Sequence, residues 1–145
     1  MPNWCNNTLR VFGPDEAVRK FKEKAVGYSP WDQTPEKDNV LNFHSLVPVP
    51  EEVLAAGYNA AGFHWERQHW GCKWGACETQ LVDEWDGELQ YAFETAWAPP
   101  IPFLKNLAPQ WPTLKFLLDY EEFGMGFKGI TKAAGAAIED HCVEL

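Results

Sequence analysis

Four residues that ligate metals fall within fourteen positions: His64, His69, Cys72 and Cys77. The same stretch holds Trp65, Trp70 and Trp74, three of the eight tryptophans of the chain. Imidazole and thiolate are the ligands zinc prefers, so a zinc site is the first chemistry to weigh. The spacing speaks against it. The four residues are separated by intervals of four, two and four, and His, His, Cys and Cys in that order and spacing are not a recognised zinc finger or ribbon pattern. If it is helical, His64 and His69 stand roughly 140° apart around the axis, and only His69 and Cys72 share a face. The simpler reading is two surface histidines and two half-buried thiols. No metal and no cofactor is expected, and these four residues are weak candidates.

Other chemistries are thinner. A small second residue permits removal of Met1, and the exposed Pro2 amine could then serve as a base or nucleophile. No paired Lys/Arg signature follows it to hold an acidic substrate. Cys5, Cys72, Cys77 and Cys142 are possible thiol nucleophiles. His141 and Cys142 are neighbours, however, and in a strand they would point to opposite faces. Glu121 and Glu122 face apart for the same reason, one inward and one outward. Binding is better supported. Trp70, Lys73, Trp74, Trp97 and Tyr120 sit at segment ends or turns, where they can line a groove, with Glu121 and Glu122 beside them. Trp and Tyr supply large contact areas and dominate interface hot spots. Packing is nevertheless favoured over a ligand site, because buried aromatics are the common case: the Trp70-Gly71-Cys72-Lys73-Trp74 turn pins an inserted helix to a sheet.

The elements that must position these residues follow from the pattern. With 145 residues and 46% apolar content the chain can bury a core as one domain. Residues 4–12 alternate as a strand, and Pro14, Asp15 and Glu16 open a helix carrying Val18, Phe21 and Ala25 on one face. Gly27 is placed to stop that helix. Residues 28–39 read as a loop and Val40–Val47 as a second strand, ended by Pro48 and Pro50. A helical insertion follows at about 50–76. Thr79–Trp85 and Glu88–Trp97 form a hairpin across Asp86-Gly87. Residues 101–108 make a helix, and Leu114, Phe116, Leu118 and Tyr120 alternate in a strand. Gly124, Gly126 and Gly129 mark a turn or bulge. The tail, 127–145, fits two strands or a strand and a weak helix. This order predicts an α+β chain with helices on one face of a largely antiparallel sheet.

Charge narrows the partners. The net charge is −9, with nine acids to eight Lys/Arg in residues 1–77 but twelve to four in residues 78–145. A phosphate-binding surface needs the opposite sign, so no direct nucleic-acid binding is expected, and the basic residues at 19–24 read as a solvated helix face. No secretory signal and no apolar run of membrane-spanning length stand out, so the expectation is a cytoplasmic protein with free cysteines.

Four segments carry a family likeness: Met1-Pro2-Asn3-Trp4-Cys5, Trp70-Gly71-Cys72-Lys73-Trp74, Thr95-Ala96-Trp97-Ala98-Pro99-Pro100, and Tyr120-Glu121-Glu122-Phe123-Gly124-Met125. In type and order they resemble the YubB-like ferredoxin-like domain family of phages, plasmids and bacterial genomes. The resemblance implies a ferredoxin-like βαββαβ core with extra C-terminal strands and names no activity. In that family the position of Cys72 is commonly Thr, which makes Cys72 a small packing residue. The expected function is a non-enzymatic protein-interaction module of a mobile element or its host, its acidic C-terminal half facing a basic partner protein. The alternative is a small enzyme or ligand-binding protein with a pocket near Trp70, Lys73, Trp97 and Glu121.

Overall fold

The computed structural model describes residues 2–31 and 39–145. Part of the loop expected over 28–39 therefore lies outside the described residues, as does Met1. Strand β1 (Trp4–Phe12) buries Cys5, Asn7, Leu9 and Val11 and turns the alternate residues the other way. Helix α1 (Asp15–Ala25) starts after Pro14, with Asp15 and Glu16 at the positive end of its dipole and Lys22 and Lys24 at the other. It buries Val18, Phe21 and Ala25. The helix ends on an extended Val26, not on a left-handed glycine. Gly27 instead exchanges backbone hydrogen bonds with Asn39.

The strand expected at Val40–Val47 is a helical turn, α2 (Phe43–Leu46). Asn42 decides this. Its side-chain oxygen accepts the Ser45 N–H at 2.8 Å, and its own N–H donates to Ala25 at 2.7 Å. A short polar side chain that satisfies free helix donors competes directly with strand pairing. Phe43, Leu46 and Val47 are buried in the helical form as well, so the apolar pattern did not discriminate. The helical insertion thus begins before position 50. It continues through α3 (Glu51–Ala56), a wide turn at Tyr58–Gly62 and α4 (Phe63–His69).

The strands that follow are β2 (Cys77–Trp85) and β3 (Glu88–Ala96), then helix α5 (Ile101–Leu107), β4 (Lys115–Glu122), β5 (Phe127–Ala134) and β6 (Ala137–Glu144). The tail is therefore a second hairpin. The sheet order is β2-β3-β1-β4-β5-β6, and every pairing is antiparallel. β2-β3-β1-β4 is the order of a ferredoxin-like core, which β5 and β6 extend at one edge.

One face of the sheet is covered. Phe21 of α1 meets Tyr91 and Phe116, and Phe43 of α2 meets Phe93 and stacks on Phe103 of α5 at 3.8 Å between ring centres. On that face the β5–β6 extension is tied in by Asp140. One of its oxygens accepts from Tyr120 Oη at 2.7 Å and Thr131 Oγ1 at 2.8 Å. Tyr120 occupies the space above Gly129: a Cβ there would strike the Tyr120 ring and sit 2.6 Å from the His141 carbonyl oxygen. Gly129→Ala is therefore expected to displace Tyr120 and cost about 1–3 kcal/mol, read by denaturant unfolding. An unchanged midpoint would show that the hairpin yields freely.

Candidate functional site

Among the described residues no helix covers the other face of the sheet. Here the register sets Asn6 of β1 opposite both Glu94 and Glu121, and Thr8 opposite Ala92 and Asp119. Lys128 lies beside Glu121, and His141 beside Ile130. These residues line an open groove of about 820 Å³, together with Glu78 and Lys132. Its charges are segregated. Carboxylates Glu78, Glu94, Asp119 and Glu121 stand on β2, β3 and β4, while Lys128, Lys132 and His141 stand on β5 and β6. Among the described residues none of them is paired across the groove in a salt bridge.

A second feature is built by the turn after α4. Trp70 is 2% exposed and donates its indole N–H to the Val47 carbonyl at 3.0 Å. Phe43 and Trp65 pack edge-on against it. Gly71 adopts φ +87°, and a Cβ there would lie 2.5 Å from the Pro102 ring. The chain then emerges at Lys73 and Trp74. The Trp74 backbone is left-handed, at φ 72°, and its ring is 45% exposed, with the Lys73 ammonium 4.2 Å from a ring centre. Glu66 holds this turn. It is fully buried; one oxygen accepts the Trp74 N–H at 2.7 Å and the other the Trp31 indole N–H at 2.8 Å. Burial pushes its pKa up, while those hydrogen bonds pull it down. Tyr58, close by, is raised to about 12 by burial first and then by the Glu66 charge.

The predicted site residues therefore separate. Lys73 and Trp97 share a cleft of about 310 Å³ with Phe63 and Arg67. Trp74 stands beside Lys73 and 6.2 Å from Trp4. Trp70 is in the core, Glu121 is on the open sheet face, and Tyr120 and Glu122 point under the helices. The pocket expected from Trp70, Lys73, Trp97 and Glu121 is thus not one cavity. Glu122 is fully buried, with one oxygen accepting the Met125 N–H at 3.1 Å. It shapes the β4–β5 turn.

The four weak metal candidates also separate by environment. His64 is exposed, and His69 stacks on Trp65 with Nδ1 2.9 Å from its carbonyl. Cys72 is buried, and its thiol pKa is pushed up by desolvation. Among the described residues no group of three or more His, Cys, Asp or Glu is placed to hold a metal ion. Cys5 is likewise buried, its pKa pushed up to about 12, chiefly by burial, so it is a packing thiol.

The pattern missed Glu66, Arg67, Phe63, Glu94 and Asp119. For Glu66 no sequence signal distinguishes a buried carboxylate from an exposed helical one. For Glu94 and Asp119 the alternation in β3 and β4 placed them off the core side, but not beside each other.

A family model described as "Ferredoxin-like domain in Api92-like protein" matches residues 64–144, from α4 to the last strand. No curated protein matches the chain in sequence. In structure the chain is similar to a protein api92 from Yersinia pseudotuberculosis, with a TM-score of 0.78 and 9% sequence identity. The similarity covers 100% of this chain and 98% of that one. At that identity it is a similarity of fold alone.

Proposed function

The chain belongs to the family of the ferredoxin-like domain in Api92-like protein, and because membership brings a fold and no activity, we propose from its surface that it is a non-enzymatic protein-interaction module. The observation that carries this reading is the uncovered sheet face with its segregated charge. Four carboxylates and three basic groups line one open groove without pairing among themselves. Exposed charges of one sign gathered on a broad surface raise association rates with a partner of opposite sign and deter like-charged ones. Before side-chain relief is added, the flat area approaches what a stable interface needs. Six strands of eight to nine residues make a sheet roughly 24 Å by 27 Å, on the order of 650 Å² before side-chain relief. A stable interface takes about 800 Å² per partner.

The partner this surface fits is a protein with a basic patch over β2, β3 and β4. The resemblance to YubB-like proteins supports placing such a module among the accessory proteins of a phage, plasmid or bacterial host, in the cytoplasm. No described helix is long and apolar enough to cross a membrane.

The test compares the wild-type protein with Glu94→Lys/Glu121→Lys, each immobilised in bacterial extract at physiological salt. A specific basic protein is expected to bind the wild type, to be lost at least tenfold with the double variant, and to leave faster as salt is raised. Recovery of no specific protein, or equal recovery by both, would end this reading.

A further inference from the structure

A cleft where β3 runs into α5 shares no lining residue with the sheet groove, though Ala96 in its wall is only two residues along β3 from Glu94. Its wall includes Phe63 and Arg67 of α4, Lys73 from the turn, and Ala96, Trp97 and Ala98 where β3 runs into α5. A volume of about 310 Å³ is at the small end for a ligand pocket.

Trp97 is the unusual member. Its backbone sits at φ 70°, in the left-handed region, and the Ala98 N–H closes a tight three-residue turn onto the Ala96 carbonyl at 2.9 Å. A bulky residue there costs on the order of 1–3 kcal/mol unless its surroundings compel it. They do. The Trp97 N–H donates to Asn3 at 2.8 Å, and Thr95 Oγ1 donates to the Ala98 carbonyl at 2.6 Å. Yet the ring so placed is 47% exposed, and full burial does not offset the strain. Trp74 repeats the arrangement, left-handed and 45% exposed. Two strained backbones thus hold two indoles partly in water.

Two cations stand beside aromatic rings here, in a chain of net charge −9, while Glu66, the carboxylate bonded to the Trp74 turn, is buried beneath it. The Arg67 guanidinium lies 5.5 Å from the centre of the Phe63 ring, and the Lys73 ammonium lies 4.2 Å from Trp74. Neither makes a salt bridge with a carboxylate among the described residues. Both cations are held in place by aromatic faces. Their donors stay available for an incoming anion, and Arg67 can offer two parallel N–H groups to a carboxylate or phosphate.

We infer that this cleft binds a small molecule composed of a flat aromatic ring and an anionic group, the ring lying on Trp97 and the anion between Arg67 and Lys73. A nucleoside monophosphate and an aromatic carboxylate both have this chemistry. Ring stacking on an indole and a charge-assisted hydrogen bond are each modest alone and act together only when one molecule carries both groups.

The experiment titrates the whole protein with adenosine monophosphate, uridine monophosphate and indole-3-carboxylate, following tryptophan fluorescence and confirming by calorimetry. Adenosine and inorganic phosphate serve as the separate halves. At least one of the three complete ligands is expected to bind saturably, and each half alone at least tenfold more weakly. Which complete ligand binds tightest identifies the source of the anion. Arg67→Met/Lys73→Met should weaken it tenfold or more. Trp97→Gly should weaken it as much while leaving the thermal midpoint equal or higher, because glycine accepts the left-handed backbone without strain. If that variant fails to fold, Trp97→Asn, which also tolerates this conformation, takes its place. Absence of saturable binding up to about 1 mM, adenosine binding as tightly as its phosphate, or affinity unaffected by these substitutions would overturn the inference.

Discussion

Trp70→Ala should destabilise the chain by about 3–5 kcal/mol, the range for emptying a buried aromatic site. The ring is 2% exposed, packs edge-on against Phe43 and Trp65, and satisfies the Val47 carbonyl. Its own carbonyl receives the Phe103 N–H at 3.3 Å, so the same residue joins α4 to α5 through the backbone. A domain of this size has about 5–15 kcal/mol of stability in total. Each kcal/mol moves the midpoint roughly 2–4 °C, so a fall on the order of 10 °C is expected in thermal unfolding. Trp70→Phe should recover more than half of the loss, since it keeps most of the packing and forfeits only the indole N–H. A loss under about 1 kcal/mol, the scale of an ordinary surface change, would show that the turn does not anchor the inserted helices.

Glu66→Ala should cost about 2–4 kcal/mol at neutral pH, because the Trp74 N–H and the Trp31 indole N–H would lose their acceptor while a cavity opens beside them. The pH dependence separates this from plain packing. The folded-state pKa of Glu66 is raised above its ordinary 4.5, with desolvation as the main cause. The native chain therefore keeps a proton on Glu66 over a range where the unfolded chain has released it. The associated stability is fully present below 4.5 and is lost as pH rises through the folded value. The wild type should gain stability relative to Glu66→Gln as pH falls from neutral toward that range. Denaturant unfolding at several pH values measures it. A difference that shrinks on acidification would mean that the two N–H donors hold the carboxylate ionised despite burial.

The indole cleft and the Glu66 network meet at Trp74, whose N–H binds Glu66 and whose ring receives Lys73. Loss of Glu66 should thus loosen the placement of Lys73 as well as the core.

Much of the fold was legible along the chain. Strict alternation in β1, β3 and β4, the Asp86-Gly87 turn and the Pro14-Asp15-Glu16 helix start are local signals, and each is where the pattern placed it. The failure at Val40–Val47 was also local in form. Leu41, Phe43 and Val47 alternate, but the Asn42 cap and the contact of α2 with α1 outweigh that alternation. The tail stayed ambiguous because β6 is an edge strand exposed along most of its length, so burial imposes little alternation on it.

By itself, the sequence determined the α+β class and the acidic excess of the C-terminal half. These rest on periodicity, charge and turn chemistry, which need only neighbours a few residues apart. The tertiary structure decided the rest. It separated Trp70 and Glu121 from Lys73 and Trp97, brought Arg67 and Phe63 to that pair, and gathered carboxylates from three strands on one open face. Those are contacts between residues tens of positions apart, set by which strands pair and by which face the helices cover.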